Sequence, residues 1–231
     1  MPSGASCRHI LMARKILFKD LKENEKRIRR DLIMDAAERV FAKTAFDRVQ
    51  IRQIASEVGL TPGAIYTYFP DLETLFLETA IRGAERIRNS LDEVLKTGEK
   101  DLGSVVVRYI EFIMDHLEYL RMSQHCLLYS RITSAEILER VNETSRSLFE
   151  RFDQVLSSHV GGKEVRLYTH LLFSALNGIL FTFGRYPNRS REEAMAHAKN
   201  LAGLLVDLIE KRGEAGHESD RSAGVVDPNS A

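Results

Sequence analysis

Apolar residues recur at spacings of three and four along most of this chain, and two-residue alternation is nearly absent, so the pattern predicts helices throughout. Leu72, Leu75, Phe76, Ala80, Ile87, Leu91, Val94 and Leu95 form one such stripe, and no proline occurs between Asp71 and Tyr186. Breaks fall where turn chemistry appears, at Thr97-Gly98, at Gly161-Gly162 and across Gly184 to Asn188. Upstream, a helix from about Asn24 to Lys43 shows Ile28, Leu32, Ile33, Ala36, Ala37, Val40 and Phe41 on one face. A last helix from about Ser190 to Lys211 has Ser190 as N-cap, Glu192 and Glu193 in its first turn, and Gly213 as a stop. Residues 1–22 mix Ile10, Leu11, Ile16, Leu17, Phe18 and Leu21 with Arg14, Lys15, Lys19 and Lys22. They read either as an unstructured leader or as a basic extension of the first helix, able to lie on a DNA backbone. Residues 213–231 lack periodicity and are expected to be disordered.

The segment Ile51 to Phe69, IRQIASEVGLTPGAIYTYF, carries the most specific pattern. A helix-turn-helix needs a small residue where its two helices cross, a glycine in the tight turn and apolar residues that pack the pair. Ala55 suits the crossing, and Gly59 suits a turn of positive φ. Ile54, Val58, Leu60, Ile65 and Tyr68 fall where the shared core is expected. Thr61 offers an N-cap oxygen and Pro62 a first helical position, so a second helix starts there. With the preceding helix this makes a three-helix DNA-binding unit.

The stretch RIRRDLIMDAAERVFAKTAFDRVQIRQIASEVGLTPGAIYTYFPDLETLF resembles the signature of the tetracycline-repressor (TetR) family of regulators. The resemblance implies a short recognition helix ending in Tyr66-Thr67-Tyr68-Phe69, with Thr61, Gly63, Ala64, Tyr66 and Thr67 near the major groove. Tyr66 is the expected phosphate contact. Departures from the family pattern are Gln50 at the cap of the second helix, Pro62 where a lysine often follows the cap, and Asp71-Leu72-Glu73 where a lysine often opens the fourth helix. Gln50 and Pro62 are kept among the candidate DNA contacts, and phosphate binding is assigned to Arg27, Arg29, Arg30, Arg48 and Arg52. The arginines read equally well as solvated surface charge.

Composition narrows the classes further. At 231 residues, 44% hydrophobic and 29% charged, the chain matches a globular protein, and no apolar run approaches the roughly 18 residues of a membrane span. Cys7 and Cys126 have no metal-ligand spacing, which fits a reducing, cytoplasmic setting. Formal charge is zero, yet Arg8 to Pro70 holds 13 Lys/Arg against 8 Asp/Glu, so the amino-terminal part is where a polyanion binds.

The later helices are rich in Phe, Tyr, Met and His. Phe112, His116, Tyr119, Met122, Cys126, Tyr129, Phe149, Phe152, Phe173 and Asn177 are the candidate effector contacts, with ordinary core packing as the competing reading of each. Such a lining suits a large apolar or aromatic effector, for example a fatty acyl group, a steroid or a drug. His125-Cys126 is too small a ligand set for metal, and no metal or cofactor is expected.

The expected architecture is all-α: a leader over 1–22, a helix-turn-helix domain over 23–70, a helical regulatory and dimerising domain over 71–212, and a tail over 213–231. By resemblance, the function is that of a homodimeric repressor pairing through its last two helices on a palindromic operator and released by a small effector. The alternatives are a non-specific architectural DNA-binding protein and a helical enzyme. No nucleophile elbow, phosphate loop or carboxylate pair supports the enzyme.

Overall fold

The computed structural model describes residues 4–97, 101–129, 132 and 134–223; for 4–16, 127, 129 and 214–223 it describes the backbone alone. Among the described residues the fold is all-α, with no strand. The chain forms two compact units, 1–79 and 80–231, and the boundary falls within one helix.

Unit 1 begins with α1 (Gly4–Lys43), followed by a 3-10 turn at Phe46–Arg48, α2 (Ile51–Val58), α3 (Pro62–Tyr66) and the start of α4 (Leu72–Lys96). The leader is therefore helical from Gly4 and continuous with the first helix. The face of α1 that packs on α2 carries Ile33, Met34, Ala36, Ala37, Val40 and Phe41, all buried. Ile28 and Leu32, expected on that face, are 49% and 51% exposed. The buried stripe starts at Arg30, which leaves both on the reverse side of the helix. Phe41, Phe46 and Phe76 form a ring cluster with centroids 4.5 to 6.1 Å apart.

Unit 2 holds the rest of α4 with α5 (Leu102–Asp115), α6 (Leu117–Tyr129), α7 (Ala135–Leu156), α8 (Val165–Phe183) and α9 (Arg191–Ala223). Asp101 caps α5 by accepting from the Ser104 amide at 2.8 Å, and Leu102, Val105, Val106, Tyr109, Ile110 and Ile113 then make α5 the buried centre. Each such burial contributes roughly 1.5–3 kcal/mol. The break between α5 and α6 has no glycine or proline. It lies at His116 (φ −135°, ψ 55°), whose Nδ1 sits 2.9 Å from the Phe112 carbonyl and so donates to it. Ser190 is the N-cap expected, and Glu193 makes the cap reciprocal, with Oγ accepting from the Glu193 amide at 3.1 Å and Oε2 from the Ser190 amide at 2.8 Å.

Gly213 does not stop α9, which runs on to Ala223; what the tail does beyond that lies outside the described residues. A Cβ at Gly213 would stand 1.8 Å from the His159 carbonyl oxygen, so the glycine serves a close approach of two backbones. No helix among the described residues is long and apolar enough to cross a membrane.

Candidate nucleic-acid interface

Local chemistry builds the α2–turn–α3 pair. The Gln50 amide donates to Gln53 Oε1 at 2.8 Å, so Gln50 starts α2 without a hydroxyl cap. That Gln-x-x-Gln spacing was a readable signal for Gln53. Gly59 closes α2 at φ +72°, and the Leu60 amide reaches back to the Ala55 carbonyl at 2.8 Å. Thr61 Oγ1 then accepts from the Ala64 amide at 3.2 Å, and Pro62 opens α3. Five residues cannot hold a helix alone, so burial of Ile65 and Phe69, with α3 packed on α2 and α2 on α1, sets the orientation of α3.

Three of the expected core residues are not fully buried: Leu60 is 37% exposed, and Val58 and Tyr68 are partly buried. Phe69, whose amide bonds the Ile65 carbonyl one turn back, is fully buried and completes that core.

Thr61, Pro62, Gly63, Tyr66 and Thr67 form one exposed surface with Ala64 partly covered, and nothing lies within 4 Å of a Cβ built on Gly63. Tyr66 is 49% exposed. Thr67 turns its hydroxyl back to the Gly63 carbonyl at 3.4 Å.

The arginines divide by environment. Arg48, Gln50 and Arg52 are exposed, and Arg27 is exposed with a 2.7 Å bond to Asn24 on its own helix. Arg29 bonds the Tyr68 hydroxyl at 3.4 Å and Glu25 at 2.6 Å, and these partners, Tyr68 foremost, raise its pKa. Arg30 is different. It donates to the Tyr68 carbonyl at 2.6 Å, pairs with Glu78 at 2.9 Å and lies 4.3 Å from the Phe69 ring centroid. Its guanidinium is engaged in holding the end of the recognition segment, a role that neither charge counting nor periodicity indicated; Glu78 was likewise missed.

Seven of the ten candidate effector residues of unit 2 fall into two groups. Phe112, His116 and Tyr119 stack in near-parallel planes, with the Tyr119 hydroxyl accepting from Arg86 at 2.7 Å. Phe149, Phe152 and Phe173 form the second, around Tyr109, whose hydroxyl donates to Asn177 Oδ1 at 3.0 Å. Burial pushes the Tyr109 hydroxyl far above its ordinary pKa. Phe152, Tyr119 and Met122 are buried packing residues, Cys126 is half-buried, and the Tyr129 side chain lies outside the described residues. A cleft of about 400 Å³ opens instead between the α5–α6 junction and the α8–α9 turn. It is lined by Met114, Asp115, Leu117, Glu118, Gly184, Arg185, Tyr186, Arg189, Ser190, Arg191 and Ala194, and includes none of the ten candidates.

Residues 33–79 match the family model described as bacterial regulatory proteins, tetR family. The fatty acid metabolism regulator protein of Bacillus subtilis is 24% identical over 190 residues, 78% of this chain and 95% of that protein. The transcriptional repressor AcnR of Corynebacterium diphtheriae is 36% identical over 81 residues, 33% of this chain and 43% of the repressor. Among solved structures, the regulator FadR of B. subtilis in complex with stearoyl-CoA superposes with a TM-score of 0.60 at 22% identity, over 76% of this chain and 96% of that one.

Proposed function

Because the chain is, by its amino-terminal domain, a TetR-family transcriptional regulator, we propose that it represses transcription as a cytoplasmic homodimer on a palindromic operator and is released by a long-chain acyl effector, acyl-CoA in particular. It has no catalytic role in this reading. The single observation that carries the DNA half is the exposed surface of α3, capped by Thr61 and set by the Gly59 turn. Gln50, Arg48, Arg52, Thr61, Pro62, Gly63, Ala64, Tyr66 and Thr67 are the assigned contacts, with Arg27 on the flanking backbone.

Dimerisation rests on exposed apolar side chains along the last two described helices. Leu167, Leu171 and Phe181 on α8 are 68%, 55% and 66% exposed, and Leu204 and Leu208 on α9 are 60% and 67% exposed. A patch of this kind marks a partner surface, and a two-fold pair places two recognition helices on two half-sites. The acyl effector is supported by the B. subtilis relative and by the partly buried aromatic cluster of Phe149 and Phe173. Effector binding would shift the population toward a geometry that no longer fits the operator.

The test is to select a preferred duplex from random DNA, then titrate it against wild type and Tyr66→Phe with stearoyl-CoA, free CoA and free stearate. Release by stearoyl-CoA at concentrations where CoA and stearate have no effect is the expected result. Equal affinity for selected and random DNA would sink the operator reading in favour of an architectural protein.

A further inference from the structure

Arg30, Ile33, Ala37 and Phe41 follow one another at spacings of three and four on the α1 face that holds the helix-turn-helix. Continued upstream at the same spacing, that face presents Lys26, Lys22 and Lys19, all exposed. A single stripe therefore changes character: apolar where it packs on α2, at Arg30 bonded beside the end of the recognition segment, and cationic for the next three turns. From Lys19 to Arg30 the helix rises about 16 Å, which is several phosphate spacings along a DNA strand.

The partners on this face are few. Lys19 lies 3.8 Å from Glu23, with side chains 75% and 66% exposed, so that pair exchanges readily for another anion. Asp20 and Asp31 lie off the cationic face, toward the stripe formed by Leu17, Leu21, Ile28 and Leu32. That apolar stripe occupies the opposite side of α1 and does not compete for the same ligand.

We propose that Lys19, Lys22 and Lys26 form a phosphate-binding row on α1 that lies along the DNA backbone beside the half-site read by α3. The inference rests on the operator reading above and extends the interface upstream of the family-matched segment, which starts at residue 33. Because the lysines meet phosphates rather than bases, they strengthen binding to operator and random DNA alike. They also make up for the lysines that Pro62 and Leu72 replace in α3 and α4.

The experiment compares full-length wild type, the triple variant Lys19→Gln/Lys22→Gln/Lys26→Gln, and Leu17→Gln/Leu21→Gln on the opposite face, measuring affinity for the selected duplex from 50 to 300 mM salt. Each neutralised phosphate contributes about 0.9 to the slope of log K against log salt, so the triple variant of a dimer should be shallower by about 5. Its affinity should fall on operator and random DNA by the same factor, with circular dichroism and thermal unfolding unchanged, while the opposite-face variant keeps the wild-type slope. An unchanged slope in the triple variant overturns the row, as does an equal loss in the opposite-face variant. Failure of the operator reading looks different: wild type itself then shows no preference between the two DNAs.

Discussion

Gly83 on α4 lies against the ring of Tyr119 on α6, where an added Cβ would come within 2.5 Å of Cδ1 and 2.7 Å of Cε1. In an open helix, Gly→Ala stabilises by about 0.8–1.0 kcal/mol. Here the methyl requires Tyr119 to move, although the side chain is 4% exposed, stacks on His116 with centroids 5.6 Å apart and accepts the Arg86 bond. Overpacking of a closed site costs roughly 1–3 kcal/mol, and the bond to a charged donor adds to it. Gly83→Ala should therefore destabilise by about 1–2 kcal/mol net, read as a lower urea midpoint at constant m. In a Tyr119→Leu background the same substitution should recover its helix-propensity gain, so the two changes couple strongly. A stabilised Gly83→Ala single variant would refute the contact and the reasoning built on it.

Two further outcomes follow from the same geometry. Arg30→Met removes the bonds to the Tyr68 carbonyl and Glu78, and should lower the stability of unit 1 by about 2 kcal/mol in thermal unfolding while leaving the salt slope of DNA binding unchanged. Bonds from Ser104 hold the Asp101 carboxyl below its ordinary pKa of 3.8, so its capping contribution is complete above that value and disappears as pH falls through the depressed one. Asp101→Ala should thus cost about 1 kcal/mol at pH 7 and progressively less below pH 4, measured as the difference in unfolding free energy from wild type.

Three-and-four periodicity, the crossing Ala55, the Gly59 turn and the Thr61-Pro62 start were legible in the sequence because each is a local requirement of backbone geometry. The same kind of reasoning misplaced Leu60, Ile28 and Leu32. Apolar character alone does not say which side of a helix another helix will cover. Effector residues were legible only as a composition; that Phe112, His116 and Tyr119 stack, and that Phe152 and Met122 are buried, followed from how α5, α6 and α7 pack.

The sequence by itself determined that this chain is helical and that a recognition helix begins at Thr61, since caps, turns and spacing act within a few residues. Only the tertiary structure decided that Arg30 closes on Tyr68, Phe69 and Glu78, that Gly83 and Gly213 are points of close approach rather than helix breaks, and that α1 carries its packing face upstream as a row of lysines. Those contacts join groups 36 or more residues apart, and the packed face of α1 is chosen by α2, so neither leaves a local pattern to read.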